Sequence, residues 1–221
     1  DTSGRQLGHG FLFVSSAETE LFATIAPAAR ARILAVPDGV DTRYFDPAGR
    51  YALDQADIAQ PCAVFCGAMD YRPNVDAVCW FVENVLPLVR ARIAGFRFIV
   101  VGSRPARRVR RLAGTEGVIV TGAVPDVRGY VACANVVVAP LRMARGIQNK
   151  VLEALAMARP LVATSAAMRG LGSAPVPGVV VADDAQSFAR AVEAQMEVGS
   201  VPAARQYVER GRFDQPDRSK Q

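Results

Sequence analysis

The chain has 221 residues, of which 51% are hydrophobic, and it carries a formal net charge of +5 with an isoelectric point near 9.3. This length and composition predict a globular protein, either one α/β domain or one domain with appendages. Most of its 26 Lys and Arg residues are arginines, which suit phosphate and carboxylate partners. Nucleic acid is not the favoured partner, because the few aromatic residues do not alternate with arginine.

Cysteine spacing argues against a metal or disulfide protein, and the length of the apolar runs argues against a membrane-spanning protein. Cys62, Cys66, Cys79 and Cys133 show no C-x-x-C pairing, which favours buried thiols over a metal site or a disulfide. No apolar run approaches the roughly 20 residues that a membrane-spanning helix needs, and no signal peptide is visible. We therefore expect a cytoplasmic protein without a metal centre.

Short β-branched or apolar runs alternate with helical patterns along the chain. The first elements predicted are a strand at GFLFVSS, a helix near 17–25, and strands at RILAVPDGV and CAVFCGAM. A long helix near 74–92 follows, and then a strand at FRFIVVGS, a helix near 104–112, a strand at GVIVTGAV and a helix near 126–132. The last elements are a strand at NVVVAP, a helix from about Gln148, strands at PLVAT and GVVVA, and a helix near 184–197. Continuous apolar strands separated by helices indicate a parallel sheet that is buried on both faces. The predicted fold class is therefore α/β, a Rossmann-like doubly wound parallel sheet.

Composition divides the chain into three predicted parts. Residues 1–50 read as a strand, helix and strand packed on the main domain, followed by the turn-rich loop PDGVDTRYFDP. Residues 51–200 form the main domain, and residues 201–221 supply a last helix and a polar tail. The chain begins with DTSGRQLGHG instead of Met, which suggests a fragment that lacks its natural N-terminal part.

Several predicted strands end in glycine or other small residues. Gly67, Gly102 and Gly122 each follow an apolar strand directly. In an open parallel sheet these carboxyl ends face the ligand crevice, where glycine lets the backbone approach a ligand closely. Each glycine alone has a simpler explanation as a strand terminator, but their agreement at successive strands favours a site.

The segment ARGIQNKVLEALAMARPLVAT, residues 144–164, begins a helix with cationic residues. A helix N-terminus already carries positive partial charge and unpaired N–H groups, so Arg145 and Lys150 are unfavourable there unless an anion is bound. A phosphate is the expected anion.

Glu153 lies about one and a half turns into this helix, roughly 7 to 8 Å along its axis from the first amides. A nucleoside diphosphate would then place its phosphates at the helix start and its ribose hydroxyls beside the carboxylate. The simpler alternative is a solvated Glu153 that pairs weakly with Lys150 three residues earlier. Spacing alone leaves both open.

The segment RGIQNKVLEALAMARPLVA resembles the E-G-F-G-x-x-x-x-E-A-M-A-x-G-x-P-V-V-A signature of the family-four retaining glycosyltransferases, which have the GT-B fold. Three more segments resemble that family in the same order: VPDGVDTRYFDP, VFCGAMDYRPNVDAV and VIVTGAVPDVRGYVACANVVVAP. The four motifs span residues 11–197. GAMDYRPN and ARGIQNKVLEAL are also similar to sugar transferases of bacterial exopolysaccharide and PEP-CTERM systems.

The resemblance implies one half of a GT-B fold with a site for a nucleoside-diphosphate sugar, which is a substrate and not a cofactor. Glu153 would bind the ribose hydroxyls, and the backbone near Ala123 and Val124 would pair with the base. Gly67 would lie beside the phosphates. The diphosphate and sugar would be held by the segment that begins at Gly146 and includes Ile147, Gln148, Asn149, Lys150 and Val151.

Two departures from the family pattern affect catalysis. Arg145 stands where the family has its first Glu, and the family's Arg and Lys, which neutralise the leaving diphosphate, align with Ala68 and Pro73. We predict that Lys150, Arg145 and Arg72 replace these cations, with Arg142 as a further candidate. The alternative for Arg142 and Arg145 is a solvated loop.

In the family that this chain resembles, the catalytic and acceptor-binding groups lie largely in an N-terminal domain, which we expect to be absent from this chain. His9 falls outside every matching motif. The resemblance implies an acceptor that is a glycan or is lipid-linked, and it leaves a peripheral location at the inner membrane open. Two other functions stay open: a non-catalytic module that binds sugar nucleotides, and a sugar-nucleotide epimerase of the same architecture.

Overall fold

The structure is a computed structural model that describes residues 11–13, 22–35, 39–52, 61–211 and 213. It divides the chain into two compact units, residues 1–38 and residues 39–221. His9 and almost all of the polar tail lie outside the described residues. The boundaries that the sequence predicts at residues 50 and 200 stay predictions.

The first unit contains a pair of parallel strands, β1 (Phe11–Phe13) and β2 (Ile33–Ala35), in which Phe11 lies opposite Ile33. A 3-10 helix, Pro27–Arg32, leads into β2. The helix predicted near 17–25 is seen over 22–25, and its earlier residues lie outside the described part.

The second unit is built on a six-stranded parallel sheet with the strand order β5-β4-β3-β6-β7-β8. Its strands are β3 (Cys62–Cys66), β4 (Arg97–Val101), β5 (Val118–Gly122), β6 (Val136–Ala139), β7 (Leu161–Ala163) and β8 (Val179–Val181). Every residue of β3, β6 and β7 is buried, as expected for central strands covered on both faces. The predicted α/β fold class is confirmed.

Strand order reverses beside β3, because β4 and β5 extend the sheet on one side and β6 to β8 extend it on the other. Ligands of open α/β sheets bind outside the carboxyl ends of the strands at such a switch point. The topology therefore marks the carboxyl ends of β3 and its neighbours as the place to look for a site.

Helices flank the sheet strands in sequence. They are α1 (Arg72–Trp80), α2 (Leu86–Arg90), α3 (Arg107–Leu112), α4 (Arg128–Cys133), α5 (Asn149–Ala156), α6 (Ser165–Met168), α7 (Ala185–Gln195) and α8 (Pro202–Arg210). The short α6 and the 3-10 turn that follows it were not predicted, because one turn carries too little periodicity to stand out.

The single helix predicted near 74–92 is divided into α1, a π-helical segment at Phe81–Val85, and α2. Pro87 lies in the first turn of α2 and has no N–H to donate to an earlier carbonyl, so the regular hydrogen-bond ladder is interrupted there. Within the segment, Phe81 packs its ring 4.2 Å from that of Phe98 on β4. The irregular turn thus remains anchored to the sheet.

Arg205 on α8 joins the end of α5 to the loop near residue 45. Its guanidinium group donates to the carbonyl oxygen of Ala156 at 2.9 Å, of Phe45 at 2.8 Å and of Thr42 at 3.0 Å. The first of these satisfies a carbonyl at the C-terminus of α5, where a cation also complements the helix dipole. α8 therefore helps to fix the helix whose other end forms the site.

Candidate functional site

A cavity of about 380 Å³ lies at the carboxyl ends of β3, β4 and β5, beside the start of α5. The residues that follow the three strands, Gly67, Gly102 and Ala123, all line it. This is the edge that the strand-end glycines predicted and that the strand order marks. Its position follows from the parallel arrangement, which brings every strand end in this region to one side of the sheet.

Six residues predicted for the site line the cavity. They are Gly67, Ala123, Val124, Asn149, Lys150 and Glu153. They come from two separate loops and one helix, and the fold brings them together around one space. These positions are compatible with the roles that the sequence predicts for them, and the roles themselves stay predictions.

The other predicted residues lie away from the cavity lining. Ile147 is 8% exposed and Val151 is fully buried, so their side chains belong to the core. Arg72 and Arg145 are exposed and do not line the cavity. Gly146 precedes the helix in the left-handed region with φ of +63°, a conformation that glycine adopts without strain.

The start of α5 leaves backbone amides without a side-chain cap. Gln148 occupies the N-cap position and accepts no hydrogen bond from the first turn. Its side-chain amide instead donates to the carbonyl oxygen of Arg145 at 2.9 Å. The first amides of α5 are therefore available to an anion, which the positive end of the helix dipole favours.

Lys150 and Glu153 share a poorly solvated environment inside the cavity. Burial lowers the pKa of the Lys150 ammonium, and the neighbouring Glu153 opposes that shift. Burial raises the pKa of the Glu153 carboxyl, and Lys150 opposes that shift in turn. The Lys150 Nζ also lies 5.4 Å from the ring centre of Phe65 on β3. A cation and a carboxylate therefore face one space in which water screens them weakly.

Gly67 allows the side chains of Asn74 and Lys150 to close over the end of β3. A Cβ atom at residue 67 would lie 2.6 Å from Nδ2 of Asn74 and 3.4 Å from Cε of Lys150. Asn74 also lines the cavity, and sequence analysis did not single it out. The signal that it offered was a polar residue in the first turn of a helix that directly follows a strand-end loop.

The arginines proposed as replacement cations have different surroundings. Arg142 forms a two-pronged ion pair with Asp76 on α1, with Nε 2.9 Å from Oδ2. That pair links the loop after β6 to α1, and the Arg142 guanidinium group is thereby already bound to a protein carboxylate. Among the described residues that line the cavity, Lys150 is the one cationic side chain.

Within the described residues, no group of three or more His, Cys, Asp or Glu side chains is placed to hold a metal ion. In the same part of the chain, no helix combines the length and the apolar character needed to cross a membrane.

Residues 60–197 match the family of group 1 glycosyl transferases. The match covers more than half of the chain and includes every residue that lines the cavity. The chain therefore belongs to the group 1 glycosyltransferases. No curated protein sequence matches it.

Several solved structures align with this chain over nearly its whole length. A glycosyltransferase from Rickettsia africae ESF-5 aligns with a TM-score of 0.68 and 16% identity, over 93% of this chain and 57% of that protein. HepE of Anabaena, in complex with UDP and glucose, aligns with a TM-score of 0.65 and 14% identity, over 92% of this chain and 58% of HepE. WaaG, a glycosyltransferase involved in lipopolysaccharide biosynthesis, aligns with a TM-score of 0.64 and 15% identity, over 94% of this chain and 60% of WaaG.

This chain thus spans somewhat under two thirds of the length of these proteins. At such low identity the likeness concerns the fold. It agrees with the predicted Rossmann-like sheet of a GT-B glycosyltransferase.

Proposed function

We propose that this chain is the donor-binding domain of a retaining glycosyltransferase that moves a sugar from a nucleoside diphosphate to a glycan or lipid-linked acceptor. One observation carries the proposal: Lys150, Glu153 and the uncapped start of α5 face a single cavity at the carboxyl edge of the sheet. A cation with open amides suits a diphosphate, and a carboxylate suits hydroxyl groups.

Each part of the donor has a proposed place in the cavity. The diphosphate lies at the amides of Asn149 and Lys150, and Glu153 accepts hydrogen bonds from the ribose hydroxyls. The base pairs with the backbone near Ala123 and Val124. During transfer, negative charge grows on the departing diphosphate, and the Lys150 ammonium stabilises it.

The finer identity of the enzyme is also a proposal. Ala68 and Asn74, from the segment GAMDYRPN, line the cavity together with Asn149, Lys150 and Glu153, from the segment ARGIQNKVLEAL. Both segments resemble the sugar transferases of exopolysaccharide and PEP-CTERM systems, so we assign the chain to that subgroup. The acceptor would be bound by a further, N-terminal domain, and its lipid carrier would bring the enzyme to the inner membrane as a peripheral protein.

A non-catalytic module that binds sugar nucleotides is the second candidate function. Ala68 lines the cavity where the family has a cation, and exposed Arg72 and Arg145 lie outside the lining. Lys150 would then be the one side chain in the cavity lining that neutralises the negative charge of the diphosphate. Such a reduced cationic site favours binding over transfer.

The test is a calorimetric titration of the chain with UDP, GDP and ADP and their sugars, beside a mass-spectrometric transfer assay. We expect one base to be preferred. We also expect a longer protein that contains the proposed N-terminal domain to transfer the sugar to a glycan or lipid-linked acceptor, while the 221-residue chain alone transfers none. Failure of all three nucleotides to bind would refute the donor site. Binding without transfer by the longer protein would favour the non-catalytic module.

A further inference from the structure

Asn74 carries a buried hydrogen-bond acceptor with no partner. The residue is 4% exposed and lies in the first turn of α1, in the cavity wall. Its Nδ2 donates to the carbonyl oxygen of Ala68 at 2.9 Å. Its Oδ1 is shut off from solvent and accepts no hydrogen bond. A buried polar atom in this state costs free energy that a nearby donor can recover.

Lys150 carries the complementary group and lies against the same glycine as Asn74. A Cβ atom at residue 67 would lie 3.1 Å from Cγ of Asn74 and 3.4 Å from Cε of Lys150. The Lys150 ammonium has no hydrogen bond or ion pair with any described residue, although the Glu153 carboxyl and the Cys66 thiol act on it electrostatically. Both side chains therefore lie against the same glycine, which puts the lysine side chain beside the amide that bears the unpaired oxygen.

We infer that Asn74 is a positioning residue for Lys150: its Oδ1 accepts one ammonium hydrogen and aims the remaining two at the diphosphate of the donor. This inference rests on the proposed function. An amide oxygen suits the task because it orients the ammonium without neutralising it. A carboxylate in its place would repel the phosphates.

A hydroxyl group of the ligand is the other conceivable partner of Oδ1. The burial of that atom argues against it, because a ligand group arrives from the open part of the cavity, to which the oxygen is closed. Lys150 is already packed over the same glycine, and the burial that lowers its pKa makes a hydrogen bond to its charged form more valuable. The observations therefore favour the lysine.

The chain offers a direct readout, because it contains two lysines, Lys150 and Lys220. Lysine labelled with ¹³C gives two Cε resonances, and Lys150→Met assigns them. In the ligand-free chain, Asn74→Ala should move the Lys150 titration midpoint to lower pH, since the ammonium loses an acceptor. Asn84→Ala is the matched control. Asn84 also donates to a backbone carbonyl, that of Trp80 at 3.0 Å, but it is exposed and outside the cavity.

Asn74→Leu is a neutral change of similar size that removes the acceptor, and it should move the same midpoint to lower pH. It serves if Asn74→Ala does not fold. A Lys150 midpoint that is unchanged in the folded variants overturns the inference, because a residue that only holds Ala68 has no reason to act on the lysine.

A double-mutant cycle with UDP links the pair to the ligand. Asn74→Ala should weaken UDP binding about 3- to 10-fold when Lys150 is present, and by less than about 2-fold in a Lys150→Met background. Equal losses in both backgrounds would show a structural role and overturn the inference. If Asn74 shifts the Lys150 titration but no nucleoside diphosphate binds, the proposed function fails while the pairing itself stands.

Discussion

Two helices of this protein begin in opposite ways. α7 closes its own N-terminus, since Oδ1 of Asp184 accepts from the amides of Gln186 at 3.0 Å and Ser187 at 2.9 Å. α5 has Gln148 at the same position, and its first turn receives no side-chain cap. α7 satisfies these amides with its own cap, whereas the helix at the cavity leaves them open.

Charge sharpens the contrast between the two helix starts. α7 has a carboxylate at its positive end, which the helix dipole favours. α5 has the Lys150 ammonium in its first turn, where the dipole opposes it. A helix start with neither a side-chain cap nor a negative charge suits a bound anion, which accepts hydrogen bonds from the open amides and supplies the negative charge. The following predictions test whether α5 is such a site.

Removing the cation should have the largest effect. Lys150→Met is expected to weaken UDP binding by about 2–3 kcal/mol, the upper range for hydrogen bonds between charged partners. The control is Arg190→Met, which removes an exposed cation on α7, outside the cavity lining, and should cost less than about 0.5 kcal/mol. Isothermal titration calorimetry measures both. Equal losses in the two variants would show that α5 merely lies in a diffuse basic region.

Raising the pH should reproduce part of that loss without a mutation. Burial lowers the pKa of Lys150, and its charged form is the one that attracts phosphate. Affinity for UDP should therefore fall as the pH rises through this lowered pKa, at a lower pH than an ordinary lysine would require. Calorimetry at alkaline pH in two buffers of different ionisation enthalpy should show proton uptake on binding. A constant affinity between about pH 7 and about pH 10 would contradict the role of Lys150.

Glu153→Gln should have a smaller effect, about 1.5 kcal/mol on UDP binding, because glutamine keeps one acceptor oxygen. The loss should nearly vanish with the 2′,3′-dideoxy nucleotide, which lacks the hydroxyl groups that Glu153 is proposed to bind. Titration of both nucleotides against both proteins gives the comparison. If wild type and variant discriminate equally between the two nucleotides, the ribose assignment is wrong.

Loss of the cap at the start of α7 should lower the stability of the protein and leave its affinity for UDP unchanged. Asp184→Ala removes the cap of α7 and should lower the melting temperature by about 2–4 °C, the usual scale for a cap in a domain of this size. UDP affinity should stay the same. Asp184→Asn, which retains an acceptor oxygen, is the control and should melt close to wild type. A change in UDP affinity would mean that the two helix starts are not independent.

Much of the fold was predictable because it depends on local patterns. Buried strands such as CAVFC and VVVA appear as continuous apolar runs, and their alternation with helices implies a parallel sheet. The proximity of Lys150 and Glu153 was also predictable, because residues three apart lie on one face of a helix. The division of the long helix at Phe81–Val85 was not predicted, although Pro87 carried the signal.

The sequence by itself determined the class of sheet, the edge that bears the cavity and the helix that begins there, because strand ends and helix periodicity are written in neighbouring residues. Only the tertiary structure decided which cations line that cavity. Arg142 pairs with Asp76, 66 residues away, and the side chains of Asn74 and Lys150 both lie against Gly67. Such pairings depend on how separate elements meet in space, and the spacing of residues along a chain does not encode where a side chain finds its partner.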